Sequence, residues 1–222
     1  MVPPRQVVAD IGTDHALLPI YLVGSGRVPR AIAGDVSPGS YAKARRAVAA
    51  AGLSVKIDVR LGPGLSILAP GEADVLIIAG LGGLTIADIL AGGKEVATAA
   101  KLILLQPMRD PAELRRRLAA LGFRLQDEAL VSEGKRFYVL MAAVPGTMPA
   151  YPEPILEIGP LLVARPDPLL VPYVKARIAR ERQIWEQARR ARGEAGRARA
   201  HLAEERIRAW EELIACRLAQ PE

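Results

Sequence analysis

Residues 7–19 read VVADIGTDHALLP, a run of β-branched and small residues that ends in Asp10-Ile11-Gly12 and leads into a predicted helix. A structural strand-to-helix turn needs one glycine and one capping residue. This turn adds Asp14 and His15, one of two histidines in the chain. Thr13 or Asp14 is the expected cap of the following helix. The surplus of carboxylates and imidazole makes the turn a candidate site, and a capped structural turn is the alternative.

Outward from this turn, short apolar runs alternate with helical periodicity as far as residue 122, the βαβ pattern of a parallel sheet covered on both faces. Ser37 and Asp110 are the predicted N-caps of the helices at 39–51 and 111–121, and each is followed by proline. Gly52 and Gly122 follow the ends of these two helices. Strands are predicted at 6–11, 30–34, 56–60, 73–79 and 101–105, and helices at 16–23, 39–51, 83–91 and 111–121.

The alternation changes at FRLQDEALVSEGKRFYVLMAAV, residues 123–144, where two strand-like runs flank Ser132-Glu133-Gly134 and predict a hairpin. A mostly parallel sheet that ends in an antiparallel strand is typical of the Rossmann-like class I methyltransferase sheet and unusual among dinucleotide-binding folds. The predicted fold class is therefore α/β with this sheet.

The C-terminal third has a different pattern. Prolines are frequent in residues 147–172, which predicts a connector without secondary structure. Two helical runs follow, separated by Gly193 and Gly196, and each carries a narrow apolar stripe that needs a partner. The predicted organisation is a Rossmann-like domain at 1–146, the connector, and a coiled-coil-like helical hairpin at 173–222.

Composition excludes several classes of protein. Cys216 is the single cysteine, so an internal disulfide is excluded, and Cys216 with two histidines builds no zinc site. No run reaches the roughly 18 apolar residues of a membrane span, and no secretory signal is evident, so a cytoplasmic protein without metal or membrane contact is expected. A monomer is expected.

The charge of the chain points to a polyanionic partner. The net charge is +6 and the sequence pI is about 9.8. Residues 173–222 hold twelve Lys and Arg against eight Asp and Glu, whereas the first 172 residues hold eighteen against sixteen. Basic side chains that face phosphates release condensed counterions, which favours binding to nucleic acid.

Ligands of open α/β sheets bind at the carboxyl ends of the strands. Asp35 ends the second predicted strand, 23 residues after Gly12, where a carboxylate can accept both ribose hydroxyls of an adenosine-containing ligand. Ser37 already serves as the helix cap, which leaves Asp35 for a ligand. The first turn lacks the second and third glycines of a pyrophosphate fingerprint, which argues against a dinucleotide.

Three further strand ends carry small or polar residues. RLGPGL places Gly62 and Gly64 where a loop could border an adenine ring, and IIAGLGG places Ala79-Gly80 where carbonyl groups could approach a reacting centre. Gln106, in LILLQPM, can donate to and accept from a nucleobase edge. A buried glutamine satisfied by the backbone is the alternative.

Six segments, in chain order, resemble the bacterial tRNA adenine-N1 methyltransferases that modify adenosine 22. They are ADIGTDHALLPIYL, AIAGDV, VRLGPGL, IIAGLGG, LILLQP and EGKRFYVLMA. The resemblance covers about residues 7–172 and continues more loosely into the tail, where that family carries a small coiled-coil-like domain. It implies tRNA as partner and S-adenosyl-L-methionine as cofactor, which contains ribose and adenine but no pyrophosphate.

The resemblance also implies roles for residues. Asp10 and Gly12 would line the methionine part of the cofactor, and Asp35, in place of the usual Glu, would hold the ribose. The implied cofactor-binding residues are Asp10, Gly12, His15, Asp35, Val36, Gly62, Pro63, Gly64, Ala79 and Gly80. The implied catalytic residues facing the target base are Asp14, His15 and Gln106, and Tyr138 matches a family tyrosine.

Asp14 is expected to stabilise the positive charge that methyl transfer places on the base, and His15 to orient Asp14 or contact the cofactor carboxylate. The alternative is that Asp14 only caps the helix and His15 only packs. Arg115–Arg117 and the basic residues of the tail are expected to contact tRNA phosphates, with a solvated helical face as the alternative.

Three departures from the family pattern keep other functions open. Pro63 stands where the family usually has Asp, Met108 stands where it usually has Asn, and only nine residues precede Asp10. The alternatives are a catalytically impaired relative that binds S-adenosylmethionine or tRNA, and a methyltransferase with a different substrate. A nicotinamide dehydrogenase is disfavoured because the glycine fingerprint is missing.

Overall fold

The structure is a computed structural model, and it describes residues 1–165, 167–191 and 193–218. Pro166 of the expected connector, and Arg192 and residues 219–222 of the expected tail, lie outside the described residues. The strands are β1 (Val8–Ile11), β2 (Ala31–Asp35), β3 (Ile57–Leu61), β4 (Val75–Gly82), β5 (Leu102–Arg109), β6 (Phe123–Glu133) and β7 (Arg136–Pro145).

The helices surround this sheet or form the C-terminal part of the chain. They are α1 (Leu17–Gly24), α2 (Pro38–Ala50), α3 (Gly83–Gly92), α4 (Lys94–Ala99), α5 (Pro111–Leu121), α6 (Glu153–Ile158), α7 (Pro160–Ala164), α8 (Leu170–Arg190) and α9 (Glu194–Leu218). A short 3-10 helix spans Gly64–Ile67. The sequence patterns did not predict this 3-10 helix or α4.

The seven strands form one sheet in the order β3-β2-β1-β4-β5-β7-β6. β1 pairs in parallel with β2 and β4, β4 pairs in parallel with β5, and β7 pairs antiparallel with β5. The predicted fold class is confirmed. The strand order reverses between β1 and β4, the position where open α/β sheets bind ligands.

The central strands are apolar along their length because both faces of the sheet are covered. Every residue of β1 is buried, and so are Val75–Ile78 of β4 and Leu102–Leu105 of β5. This rigid centre holds the carboxyl ends of β1, β2, β4 and β5 at one edge. Residues in the loops at that edge are therefore positioned by the most buried part of the protein.

Helix α2 begins as predicted. Ser37 Oγ accepts from Ser40 N at 3.4 Å, Pro38 is the first helical residue, and Gly52 follows the helix with a φ of +68°. The predicted cap of α1 is wrong, whereas Asp110 occupies the predicted N-cap position of α5 without making the expected side-chain bond. Ala16 and Asp110 occupy those N-cap positions with φ of +54° and +56° and no side-chain capping bond. A side-chain cap needs an extended backbone, and this left-handed geometry does not provide one.

The expectation of a connector without secondary structure is also wrong, because α6 and α7 lie within residues 147–172. Pro154 lies in the first turn of α6, and Pro160 is the first residue of α7. Proline is tolerated in a first helical turn, where its missing N–H has no helical acceptor in any case. The prolines of this segment therefore start helices instead of preventing them.

The described chain divides into two compact units. The first consists of Met1–Ala129 and Tyr138–Ala150, and contains the sheet core and α1–α5. The second consists of Leu130–Phe137 and the described part of Tyr151–Glu222. In the second unit α8 packs against α9, and the apolar residues Val174, Ile178, Ala203, Trp210 and Ile214 are buried.

Candidate active site

The carboxyl edge of the sheet brings together most of the residues singled out in the sequence. Asp10 lies in β1, Asp35 ends β2, and Ala79 pairs with Gln106 across β4 and β5. Backbone bonds connect the neighbouring loops, since Gly12 N and Thr13 N donate to Gly34 O at 2.9 and 3.0 Å. These residues therefore lie together at the reversal of strand order, the place where open α/β sheets bind ligands, and we call this group of residues the crevice.

The turn after β1 has an unusual backbone. Gly12, Asp14 and Ala16 have φ of +78°, +48° and +54°. Left-handed conformations are routine for glycine, tolerated by Asp and uncommon for Ala. The turn is thus held in a conformation that costs free energy, and it exposes the Gly12 backbone to the crevice.

Asp35 supports this turn from β2. Its Oδ2 accepts from Asp14 N at 3.0 Å, and its Oδ1 accepts from Ser37 N at 2.9 Å. A carboxylate offers about four acceptor positions, so about two remain for a ligand. Asp35 is only partly buried, and the neighbouring Val36 is 66% exposed. These two free acceptor positions fit a sugar with two adjacent hydroxyl groups.

Asp14 has polar neighbours on both carboxylate oxygens. Ser40 Oγ donates to Oδ1 at 3.3 Å, and His15 Nε2 lies 3.5 Å from Oδ2. The side chains of Asp14 and His15 are 63% and 48% exposed. Asp14 does not cap α1, and His15 is not packed in the core, so the structure does not show the two roles that the alternative gave them; the catalytic roles of this pair stay predictions.

Asp10 is buried, with only 6% of its surface exposed. The pKa of its carboxyl is raised to about 6: burial is the main cause, the hydrogen bond from Thr13 opposes the rise, and the negative charge of Asp35 adds to it. Thr13 Oγ1 donates to Asp10 Oδ2 at 2.6 Å. This bond explains why Thr13 does not cap α1.

The glycines after β3 have a packing role that the sequence did not indicate. A Cβ at Gly62 would lie 2.5 Å from Ile67 Cγ2, and a Cβ at Gly34 would overlap Ile67 Cδ1. Gly64 has a φ of +52°, and Pro63 is exposed beside it. Gly62 N donates to Asp35 O at 3.0 Å, which joins this loop to the end of β2.

Gln106 lies within β5, since that strand continues to Arg109. Gly80 N donates to Gln106 Oε1 at 3.0 Å, and Gln106 Nε2 lies 3.5 Å from Met108 Sδ. The oxygen of the amide is therefore satisfied by the backbone, as the alternative for this residue expected. The nitrogen has only a weak sulfur acceptor among its described contacts.

Arg115 does not contact solvent, and the prediction that it binds a phosphate is wrong. Its side chain is fully buried, and its Nε and Nη2 each lie 2.8 Å from Glu128 Oε1. It follows the buried Leu114 on the inner face of α5. Arg116 and Arg117 both form ion pairs with Glu113 at 3.0 Å.

Sequence reasoning missed Ser40, Gly34 and Ile67, and it considered Thr13 only as a cap. Ser40 and Gly34 contact segments that are distant in the sequence, so no local pattern marks them, whereas Thr13 bonds to Asp10 only three residues away. Tyr138 lies partly buried in β7, and its role stays a prediction.

Two kinds of site are absent from the described part of the chain. Residues 1–165, 167–191 and 193–218 contain no cluster of three or more His, Cys, Asp or Glu side chains that could hold a metal ion. Within those same ranges, no helix combines the length and apolar character that crossing a membrane requires.

Known proteins resemble this chain in sequence and structure. A family described as a methyltransferase domain matches residues 1–141. The tRNA (adenine(22)-N(1))-methyltransferase of Bacillus subtilis (strain 168) is 34% identical over 195 residues, which are 86% of this chain and 82% of the relative. The similarity therefore includes both the sheet and a large part of the helical tail.

Two solved structures support the same relationship. The crystal structure of the B. subtilis m1A22 tRNA methyltransferase has a TM-score of 0.85 and 31% identity, and covers 96% of this chain and 94% of that chain. The crystal structure of Streptococcus pneumoniae Sp1610 in complex with S-adenosyl-L-methionine has a TM-score of 0.84 and 30% identity. It covers 95% of this chain and 93% of that chain.

Proposed function

Because the chain belongs to the family of tRNA (adenine(22)-N(1))-methyltransferases, we propose that it transfers a methyl group from S-adenosylmethionine to N1 of adenine 22 in tRNA. The single observation that carries the assignment to this crevice is the double contact of Asp35. Its carboxylate ends β2 where a ribose is bound in such sheets, and it also holds the backbone of Asp14.

The crevice fits a cofactor that has a nucleoside but no pyrophosphate. Asp35 retains acceptor positions for two ribose hydroxyls, and the exposed Val36 would be covered by the adenine ring. Gly62, Pro63 and Gly64 would border the same ring. The methionine part would contact Asp10, the open backbone at Gly12 and His15, with the reacting centre beside Ala79-Gly80.

The chemistry requires alignment more than proton removal. When bound, S-adenosylmethionine supplies a methyl carbon that bonds to N1 as its C–S bond breaks and the electron pair passes to sulfur. Adenine N1 already has a lone pair, so no side chain has to act as a general base. The adenine ring becomes positively charged, and the Asp14 carboxylate would stabilise this charge and accept from the exocyclic amine.

Neighbouring residues would keep Asp14 in position. Ser40 Oγ and His15 Nε2 contact its two oxygens, and Asp35 holds its backbone amide. Fixed orientation is valuable because the methyl carbon, N1 and sulfur must be nearly in line. Ala79-Gly80 adds little bulk to the space in which the base would lie.

The tRNA would have to expose its adenine, because N1 lies on the base-pairing edge. Exposed basic residues of α8 and α9 would position the RNA through phosphate contacts. A tRNA substrate places the reaction in the cytoplasm, and since one chain supplies every proposed site residue, a monomer is the expected active form.

The test is incubation with labelled S-adenosylmethionine and unmodified tRNA, followed by nucleoside analysis. We expect label in 1-methyladenosine at position 22. Asp14→Asn should lower kcat by about 10- to 100-fold and leave the affinity for S-adenosylmethionine unchanged, because an electrostatic contact to the transition state is lost. The matched control is Asp88→Asn, an exposed aspartate of α3.

Three results would contradict the proposal. Absence of label would indicate an impaired relative, and label in another nucleoside would indicate a different substrate. Full turnover by Asp14→Asn would remove Asp14 from the mechanism.

A further inference from the structure

The side-chain amide of Gln106 has a defined polarity. Gly80 N is 3.0 Å from one end of this amide, and a backbone N–H can only donate, so that end must be the oxygen. The other end is therefore the NH2 group. Its described contact is Met108 Sδ at 3.5 Å, a weak acceptor in a side chain that is 55% exposed. Gln106 consequently offers a donor to a ligand, and one of the two acceptor positions on its oxygen is already occupied.

The backbone of β4 explains this polarity. Ala79 pairs with Gln106 and Leu81 pairs with Pro107, so the register shift leaves Gly80 without a partner residue in β5. Its N–H bonds to the Gln106 side chain instead. Gly80 has a φ of +77°, a conformation in which a side chain would be strained. The orientation of Gln106 thus depends on an irregularity built into the sheet.

The sheet register places Gln106 opposite the Asp14 turn. Ile11, the last residue of β1, pairs with Ile78, which pairs with Leu105. Gln106 therefore lies one residue beyond the end of β1, and Asp14 lies in the loop that follows β1. Only β4 runs between them, so β1 and β5 are about 10 Å apart at this level. A purine lying above Ala79 and Gly80 of β4 would then have Asp14 on one side and Gln106 on the other.

The two side chains differ in what they offer a base. The Asp14 carboxylate accepts, and the Gln106 amide donates. Adenine presents an N6 amine donor next to an N7 acceptor, whereas guanine presents O6 and N7, both acceptors. A donor placed on N1 would occupy the lone pair that must attack the methyl carbon, so N7 is the acceptor that Gln106 can use without blocking the reaction.

We propose that Gln106 is a specificity-determining residue that donates from Nε2 to N7 of the target adenine while Asp14 accepts from N6. This inference rests on the proposed function and specifies how its site recognises the base. N1 then faces the methyl donor, and a guanine is rejected because its O6 would meet the Asp14 carboxylate. Gly80 acts through Gln106 as a positioning residue.

The experiment replaces single atoms of the substrate. Wild-type protein is assayed on tRNA that carries adenosine, 7-deazaadenosine or 3-deazaadenosine at position 22. We expect kcat/KM to fall about tenfold with 7-deazaadenosine, which lacks the N7 acceptor, and to change little with 3-deazaadenosine. Gln106→Leu should show the same tenfold loss on natural tRNA and no further loss on the 7-deaza substrate.

A second variant retains the contact to Gly80. Gln106→Glu keeps an oxygen for the Gly80 N–H but replaces the donor with an acceptor, which repels N7. It should be slower than Gln106→Leu on natural tRNA, and should methylate 7-deaza tRNA faster than natural tRNA. The control is Gln126→Leu, on the exposed surface of β6, which should discriminate among the substrates like the wild type.

Two results would overturn the inference: equal wild-type rates on adenosine and 7-deazaadenosine, or a further loss when Gln106→Leu meets the 7-deaza substrate. A failure of the proposed function is distinct, since wild-type protein would then form no 1-methyladenosine on natural tRNA. The affinity for S-adenosylmethionine should be the same in wild type and Gln106→Glu, which keeps the contact to Gly80, and this separates base recognition from damage to the cofactor site.

Discussion

At the scale of single residues, three aspartates of similar chemistry have different environments in one crevice. Asp10 is buried under the turn, Asp35 bonds two backbone amides, and Asp14 is largely exposed beside His15. Burial raises the pKa of Asp10, and under the proposed function Asp35 would hold the ligand while Asp14 would face the reaction. The identity of the residue alone assigns none of these roles.

Replacement of Asp10 by Asn should stabilise the protein without cofactor above pH 6. The folded pKa of about 6 exceeds the usual 3.8, so the folded state binds more protons than the unfolded state between these values. The contribution of the Asp10 carboxyl to the free energy of unfolding is thus fully present below about pH 4 and is lost as the pH rises through 6. The difference is about 2 to 3 kcal/mol. Asn removes this loss and keeps an acceptor for Thr13.

The measurement is urea unfolding of the wild type and Asp10→Asn from pH 4 to pH 8, with Asp88→Asn as the control. The free energy of unfolding of the wild type should fall relative to Asp10→Asn as the pH rises. Parallel profiles for the two proteins would show that burial does not penalise the Asp10 carboxylate.

At the scale of elements, the 3-10 helix Gly64–Ile67 shapes the floor of the crevice. Ile67 packs over Gly34 of β2 and over Gly62, and neither position has space for a Cβ. These glycines therefore let a short helix approach the strand that ends in Asp35. Their presence near a ligand site has a packing cause in addition to any contact with a cofactor.

Gly34→Ala should lower the free energy of unfolding by about 1 to 2 kcal/mol, because the new Cβ overlaps Ile67 Cδ1. Ile67→Val deletes that carbon, so the double variant Gly34→Ala/Ile67→Val should be more stable than the sum of the single effects predicts. Gly92→Ala is the control, since nothing lies within 4 Å of its Cβ. If denaturant unfolding shows that the effects of Gly34→Ala and Ile67→Val on the free energy of unfolding simply add in the double variant, this packing contact is contradicted.

At the scale of the whole molecule, the chain combines two units with separate cores. The first carries the crevice, and the second carries much of the basic charge. Helix α8 presents Lys175 and Arg180 to solvent while Val174 and Ile178 are buried. This division predicts that tRNA affinity and cofactor affinity respond to different substitutions.

The double variant Lys175→Ala/Arg180→Ala should bind tRNA about five to ten times more weakly near 0.1 M salt. The slope of log affinity against log salt should decrease by about two, one for each lost phosphate contact. The matched control Gln183→Ala/Gln187→Ala truncates two exposed neutral side chains of the same helix. An unchanged salt slope would show that these cations do not contact the RNA. Weaker binding of S-adenosylmethionine would contradict the division of tRNA affinity and cofactor affinity between the two units.

The sheet and its helices were predictable because their signals are local. Buried β-branched runs, helical periodicity and the Ser37-Pro38 start are properties of adjacent residues, and all of them were confirmed. Asp110 occupies the predicted N-cap position but makes no capping bond, because its left-handed backbone is not a local property. A Cβ at Gly83 would lie 2.6 Å from Asp110 O, so this loop packs closely against the start of α3.

The sequence by itself determined the fold class, the family and the placement of acidic and glycine residues at the strand ends. Only the tertiary structure decided what those groups face. It buried Arg115 against Glu128, oriented Gln106 through Gly80, and raised the pKa of Asp10. These properties depend on partners brought together by the sheet, and desolvation and hydrogen bonding act through space instead of along the chain.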